Sequence, residues 1–234
     1  MEHDTFRGIT SLADALETFR QGKYALSLVL LEKEIQKNQE DPNLYFHFAL
    51  ACFHTSNFKK CVTVIQNLLK KFPRYIELDR CYKVLIYSLI QLKDWKKADE
   101  ELQKRLSISQ HDTVYLSFAA HVYEKSHRIS EAIQIHRKIL SFNADNASSL
   151  NNLGYLLLTE SEVPSKEKLA EAIQAIKKAV RLSPKNPAYL DSFGTLLSKT
   201  GNREAAIRAL EKALAIAPEH TELLDHLSKL QKQA

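Results

Sequence analysis

The chain has 234 residues, 44% of them apolar and 26% charged, enough for a folded core. Its net charge of +5 is too small and too dispersed for the basic stripe of a nucleic-acid binder. No apolar run reaches the roughly 18 residues a membrane-spanning helix needs. The N-terminal MEHDTFRG lacks a basic-then-apolar export signal. A cytoplasmic home is therefore expected, or a periplasmic or lipid-anchored one if an export signal has been removed.

Residues 1–7 are polar and read as a tail. Apolar residues then recur at gaps of three and four, the period of a helix face and not of a strand. Residues 8–41 form the first and least regular hairpin. Leu12, Ala15, Leu16 and Phe19 share one helix face, Gln21-Gly22 makes the turn, and Leu28, Leu31 and Ile35 face inward from the second helix. Residues 42–75 open on Asp41-Pro42, a capping side chain followed by a residue tolerated in the first turn. Tyr45, Phe48, Ala49 and Cys52 face inward, followed by Cys61, Ile65 and Leu68, and Pro73 stops the unit. Its basic residues Lys59, Lys60, Lys70, Lys71 and Arg74 have no acidic counterpart within it. The last lysine pair suits a helix C-terminus.

Residues 76–78 are a spacer or an early helix start. Residues 79–112 carry Tyr82, Leu85, Ile86, Leu89, Ala98 and Leu102, with Trp95 as an interhelical filler. Residues 113–146 carry Leu116, Ala119, Ala120, Tyr123, Ala132 and Ile139, with His136 expected as a packed, hydrogen-bonded core histidine. Residues 147–186 carry Leu150, Leu153, Gly154, Leu157, Ala172, Ile176 and Ala179. This unit is longer by six, because 18 residues separate Gly154 from Ala172 and 12 separate Gly194 from Ala206. The excess lies at 160–168, and Ser165 there is a good N-cap, so a loop and an extended second helix are expected.

Residues 187–220 are the clearest unit. Asn186-Pro187 starts it, Gly201-Asn202 breaks it, and Pro218 ends it. Leu190, Phe193, Gly194 and Leu197 face Ala206, Leu210, Ala213 and Leu214. Residues 221–234 carry Leu224, Leu227 and Leu230 among polar residues and read as a capping helix. Each hairpin of about 34 residues is too small to bury its own apolar faces, so the units must stack.

A bulky residue at position four, Leu-Gly-like small packing at seven and eight, and Ala at twenty and twenty-seven resemble the tetratricopeptide repeat. In the last unit those slots hold Leu190, Phe193, Gly194, Ala206, Ala213 and, at thirty-two, Pro218. The resemblance covers residues 8–233 and is strongest from Thr113 onward, where it is similar to bacterial arrays. It implies an all-α fold, a right-handed superhelical solenoid of six antiparallel helix hairpins whose first helices line a concave groove.

In that register Phe46, His47, Arg80, Lys83, Tyr87, Phe118, His121, Asn151, Asn152, Tyr155 and Asp191 point into the groove. Asn can donate and accept against a peptide backbone, Arg can grip a carboxylate at two points, and aromatic rings add apolar area. Together they suit a peptide segment, with an acidic residue at Arg80 and Lys83.

The Lys/Asn clamp that chaperone-binding members place on a C-terminal carboxylate is missing. Asn152 matches its middle, but Ser117, His121, Ala188 and Ser192 occupy the other slots. No GxSxG, Walker A, HExxH or CxxC motif is present, and Asp99-Glu100-Glu101 reads as a solvated face. Cys52, Cys61 and Cys81 are odd in number and irregular in spacing, so they read as core thiols.

The expectation is a non-enzymatic scaffold for a protein or peptide partner, with no cofactor, metal or nucleic acid. The alternatives are a structural subunit using its ends or convex face and, behind it, an RNA-binding solenoid.

Overall fold

The computed structural model describes residues 12–232, and every regular element in them is an α-helix. The expected tail at 1–7 and the first residues of the opening hairpin lie outside the described residues, as do residues 233–234. Packing divides the chain into two compact units, one up to Phe118 and one from Ala119.

The first unit contains α1 (Leu12–Arg20), α2 (Tyr24–Lys37), α3 (Pro42–His54), α4 (Phe58–Lys71), α5 (Leu78–Gln91), α6 (Trp95–Leu106) and the start of α7 (Thr113–Lys125). The second holds the remainder of α7 with α8 (Ile129–Phe142), α9 (Ala147–Thr159), α10 (Lys166–Leu182), α11 (Pro187–Lys199), α12 (Arg203–Ile216) and α13 (Thr221–Lys232). Within each unit helices pack on their sequence neighbours. The first helices of successive hairpins also meet, α3 on α5 and α9 on α11. An all-α helical repeat therefore builds both units.

The capping residues do what their chemistry predicts. Asp41 accepts from the Asn43 N–H at 2.9 Å, Asn186 from Ala188 N–H at 3.0 Å, and Ser165 Oγ from Lys168 N–H at 3.3 Å. Residues 76–78 resolve into a turn and an early start, since α5 begins at Leu78. Except between α9 and α10, each hairpin turn places one residue in the left-handed region. Gly22 (φ 74°) and Gly201 (φ 81°) supply it freely, whereas Ser56, Lys93 and His127 are held near φ 57–59° without that freedom.

The buried residues are those of the apolar faces. Leu31, Ile65, Leu102, Ile139, Ile176 and Leu210 are all sealed from solvent, each worth about 1.5–3 kcal/mol of transfer free energy. Close approach explains the small residues. A Cβ on Gly154 would stand 2.5 Å from Ile176 Cγ1 and 3.1 Å from the Ala172 carbonyl. On Gly194 it would stand 3.2 Å from Leu210 Cγ.

The three thiols are free and buried. Burial, reinforced by Cys61, pushes Cys52 up to about 12, and burial with Glu77 nearby does the same for Cys81. His136 is buried as expected, but the hydrogen bond expected of it is not made at Nδ1, which has no partner.

The insertion after α9 is split between a loop and an extra turn of α10, a helix of 17 residues. The loop is tethered: Lys199 Nζ donates to the carbonyls of Ser161 (3.4 Å) and Glu162 (3.1 Å), and Lys168 pairs with Glu160.

The capping helix α13 departs from expectation at one position. Leu223, not Leu224, enters the core with Leu190, Leu210 and Ala213; Leu223 is 1% exposed and Leu224 48%. Leu227 and Leu230 pack beside it, giving the i, i+4, i+7 stripe of a helix face. No helix among the described residues is long and apolar enough to cross a membrane.

Candidate peptide-binding cleft

The expected groove residues of the first unit do not form an open basic site. Phe46 is 2% exposed, covered by the Tyr75 ring at 6.0 Å and by the Arg80 guanidinium 5.2 Å from its centroid. It is a core residue, which corrects its placement in the groove. Arg80 itself is exposed and donates to Glu77 at 3.2 Å. His47 is half-buried, with Nδ1 2.8 Å from the Asn43 carbonyl.

Lys83 is held between Asp79 (2.8 Å) and Asp112 (2.9 Å). Asp79 also accepts from the Tyr115 hydroxyl at 2.8 Å and lies 3.4 Å from Arg105. Burial opposes ionisation of Asp79, but the hydrogen bonds from Lys83 and Tyr115 outweigh it and keep the carboxyl below its usual range. The bond to Asp79 raises Lys83 in turn. The positive charge expected to grip an acidic ligand is thus already matched within the protein. What remains open is aromatic: Tyr87, 37% exposed, lies between Phe53 (5.2 Å) and half-buried Phe118 (6.1 Å).

The second unit brings the other predicted residues together. Asn151, Asn152 and Tyr155 from α9 and Asp191 from α11 line a cavity of about 530 Å³. Its wall is completed by Glu124 from α7, by Ala188 and Ser192, and by Glu222 and His226 from α13. A neighbouring cavity of about 320 Å³ shares Tyr155, Asp191 and His226 and continues past Thr195 toward Lys229. His121, half-buried on α7, is lowered by burial and does not line either cavity.

Three features define the chemistry of this cleft. Asn151 is 6% exposed, and its Nδ2 donates to Asn152 Oδ1 at 3.2 Å, which fixes the orientation of the amide. Its Oδ1 has no hydrogen-bond partner, so a strong acceptor is left buried at the wall. Asp191 is joined to His226 Nδ1 at 2.7 Å, bridging α11 and α13. Tyr155 is raised first by burial and then by the charges of Asp191, Glu124 and Glu222, and those three carboxylates line the cleft.

Glu222 and His226 were missed from the sequence because α13 read only as a cap. They stand at i and i+4 beside the Leu223 stripe, so the spacing that marks the buried face also marks this polar edge. Among the described residues no group of His, Cys, Asp and Glu could hold a metal ion.

Residues 165–186 and 189–220 match the family model of the tetratricopeptide repeat. No curated protein matches the chain in sequence. Among solved structures, one similar to this chain is the protein YrrB, described as a tetratricopeptide protein with an unusual peptide-binding site. It shares 20% identity and a TM-score of 0.61, over 85% of this chain and 97% of YrrB. PilF of Pseudomonas aeruginosa gives 15% identity and a TM-score of 0.71, over 92% and 94% of the two chains. A tetratricopeptide protein from Parabacteroides merdae gives 16% and 0.65, over 94% and 82%. At these identities the likeness concerns the fold. It is the fold of protein–protein interaction scaffolds, generally non-catalytic.

Proposed function

We propose that this chain, built of tetratricopeptide repeats, is a non-catalytic scaffold that takes an extended segment of a partner protein in the cleft between α9, α11 and α13. The observation that carries this reading is the cavity of about 530 Å³ lined by Asn151, Asn152, Tyr155 and Asp191 from the first helices of successive hairpins. Such amides can pair with a peptide backbone in any sequence, while Tyr155 supplies apolar area at low entropy cost. The peptide-binding site named for YrrB lends the reading support by analogy of fold.

A second reading is a subunit that packs through its other helices. A shallow cavity of about 800 Å³ beside α10, lined by Ile173, Gln174, Lys177, Val180, Arg181 and Phe193, favours it.

Site-specific photo-crosslinking separates the two. A benzoyl-phenylalanine replaces Tyr155 in one variant and Gln174 in another, and each is irradiated in native lysate. Partner adducts at 155 and none at 174 are the expected result. Adducts confined to 174 would transfer the function to the second surface.

A further inference from the structure

The cleft has a chemical bias that its general reading as a peptide site does not specify. Glu124, Asp191 and Glu222 reach it from three different helices, α7, α11 and α13. Their partners are weak or incomplete. Glu124 pairs with the neighbouring Lys125 at 3.4 Å, an exposed pair of little strength, and otherwise faces the half-buried His121 and the buried His136. Asp191 accepts a hydrogen bond from His226 Nδ1 at 2.7 Å. Glu222 makes no ion pair among the described residues, and it opens the first turn of α13. The nearby lysines are engaged elsewhere: Lys199 with the carbonyls of the 160–165 loop, Lys229 with Asp225 at 2.6 Å.

Beside these carboxylates lies the unsatisfied Oδ1 of Asn151. A buried acceptor of this kind lowers its free energy sharply when a donor arrives. A ligand that fits must therefore bring positive charge and several N–H donors in one rigid group. An ammonium carries the charge but is a compact, strongly hydrated point. A guanidinium is planar, weakly hydrated and forked, so one edge can pair with a carboxylate while another N–H reaches the amide oxygen.

Resting on the scaffold reading above, we propose that the cleft selects an arginine side chain of the bound segment. Its guanidinium would be set among Glu124, Asp191 and Glu222, with one N–H donated to Asn151 Oδ1. The segment runs across α9 and α11, and α13 adds Glu222 to the carboxylates that recognise the cation. In this arrangement the capping helix is part of the binding surface.

The test uses the full chain, ¹⁵N-labelled and followed by amide NMR. The probes are acetylated, amidated pentapeptides Ala-Ala-Xaa-Ala-Ala with Xaa arginine, citrulline, lysine or glutamate. Citrulline keeps the shape of arginine and removes its charge. The expected result is that the arginine peptide moves the resonances of Asn151, Asn152 and Tyr155, with a Kd at least tenfold below that of citrulline. Lysine should fall between them and glutamate should not bind. Glu222→Gln, a change at an exposed position, should weaken the arginine peptide about fivefold and leave the spectrum of the free protein otherwise intact.

Equal affinity for arginine and citrulline in the cleft would overturn the arginine assignment and leave the scaffold reading standing. Arginine-induced shifts outside the cleft, or none with any peptide, would also overturn it. The crosslink at position 155 then decides the scaffold reading separately.

Discussion

His136 offers the sharpest test of the packing in the second unit. It occupies a slot for a large apolar residue on α8 and is 5% exposed, with Nδ1 unpartnered. Burial lowers it from 6.5 to about 4, against a small opposing pull from Glu124. The folded protein therefore refuses a proton that the unfolded chain accepts below pH 6.5. Stability from this residue is unaffected above that pH and falls as pH drops from about 6.5 toward 4. With about 1.36 kcal/mol per pKa unit, the loss reaches about 2 kcal/mol at pH 5 and about 3 kcal/mol at pH 4.

His136→Leu removes the titrating group, keeps a similar volume and leaves no orphaned nitrogen. Urea unfolding followed by circular dichroism should show the variant gaining on the wild type by about 2 kcal/mol between pH 7.5 and pH 5. Carboxylate contributions lie in both proteins and cancel in the difference. A difference that stays constant over this range would refute the buried, neutral histidine.

Other consequences are open to direct measurement. Gly154→Ala should destabilise by about 1–2 kcal/mol, since overpacking against Ile176 and the Ala172 carbonyl exceeds the gain in helix propensity. Gly194→Ala, with more room, should lie near neutrality, and Gly194→Leu should cost about 1–3 kcal/mol; thermal unfolding ranks the three. Lys93→Gly should stabilise by about 0.5–1 kcal/mol by releasing a left-handed residue, and a loss in the same assay would contradict that account. Cys52, Cys61 and Cys81 should react with a thiol reagent only at the rate of unfolding, so a fast-labelling thiol in the native protein counts against their burial. Lys83→Glu should lower the melting temperature by setting a third acid beside Asp79 and Asp112, and Arg80→Glu should lower it by a smaller amount, by uncovering Phe46 and setting an acid beside Glu77.

Helix positions and their buried faces were legible because they depend on local spacing. Asp41-Pro42, Asn186-Pro187 and the gaps of three and four place α3, α11 and their inward residues directly. The errors arose where a distant residue decides the outcome. Phe46 has the right register for a groove, yet Tyr75 and Arg80, from beyond the next helix, cover it. Lys83 looked like a free cation because Asp112, 29 positions away, carries no sign in the sequence of being its partner. In α13 the adjacent Leu223 and Leu224 each fit an apolar stripe, and only contact with Leu190 and Leu210 selects between them. The cleft was half visible: Asn151, Asn152, Tyr155 and Asp191 followed from the repeat register, while Glu222 and His226 required knowing which way α13 turns.

The helix α13 also bears on how copies of this protein behave in solution. A repeat unit presents to its successor an apolar face shaped to receive another unit of the same kind. Such a face, left open, invites joining in one direction without closure, the geometry of a growing fibre. Leu223 fills the face formed by Leu190, Leu210 and Ala213, and Arg203 ties the helix down by donating to the carbonyls of Leu230 (2.9 Å) and Gln231 (3.1 Å). Around that contact α13 exposes Asp225 and Lys232 beside Leu224, a mixed surface unlike the apolar face it covers. The residues that finish the core thus also set a limit on polymerisation at that face.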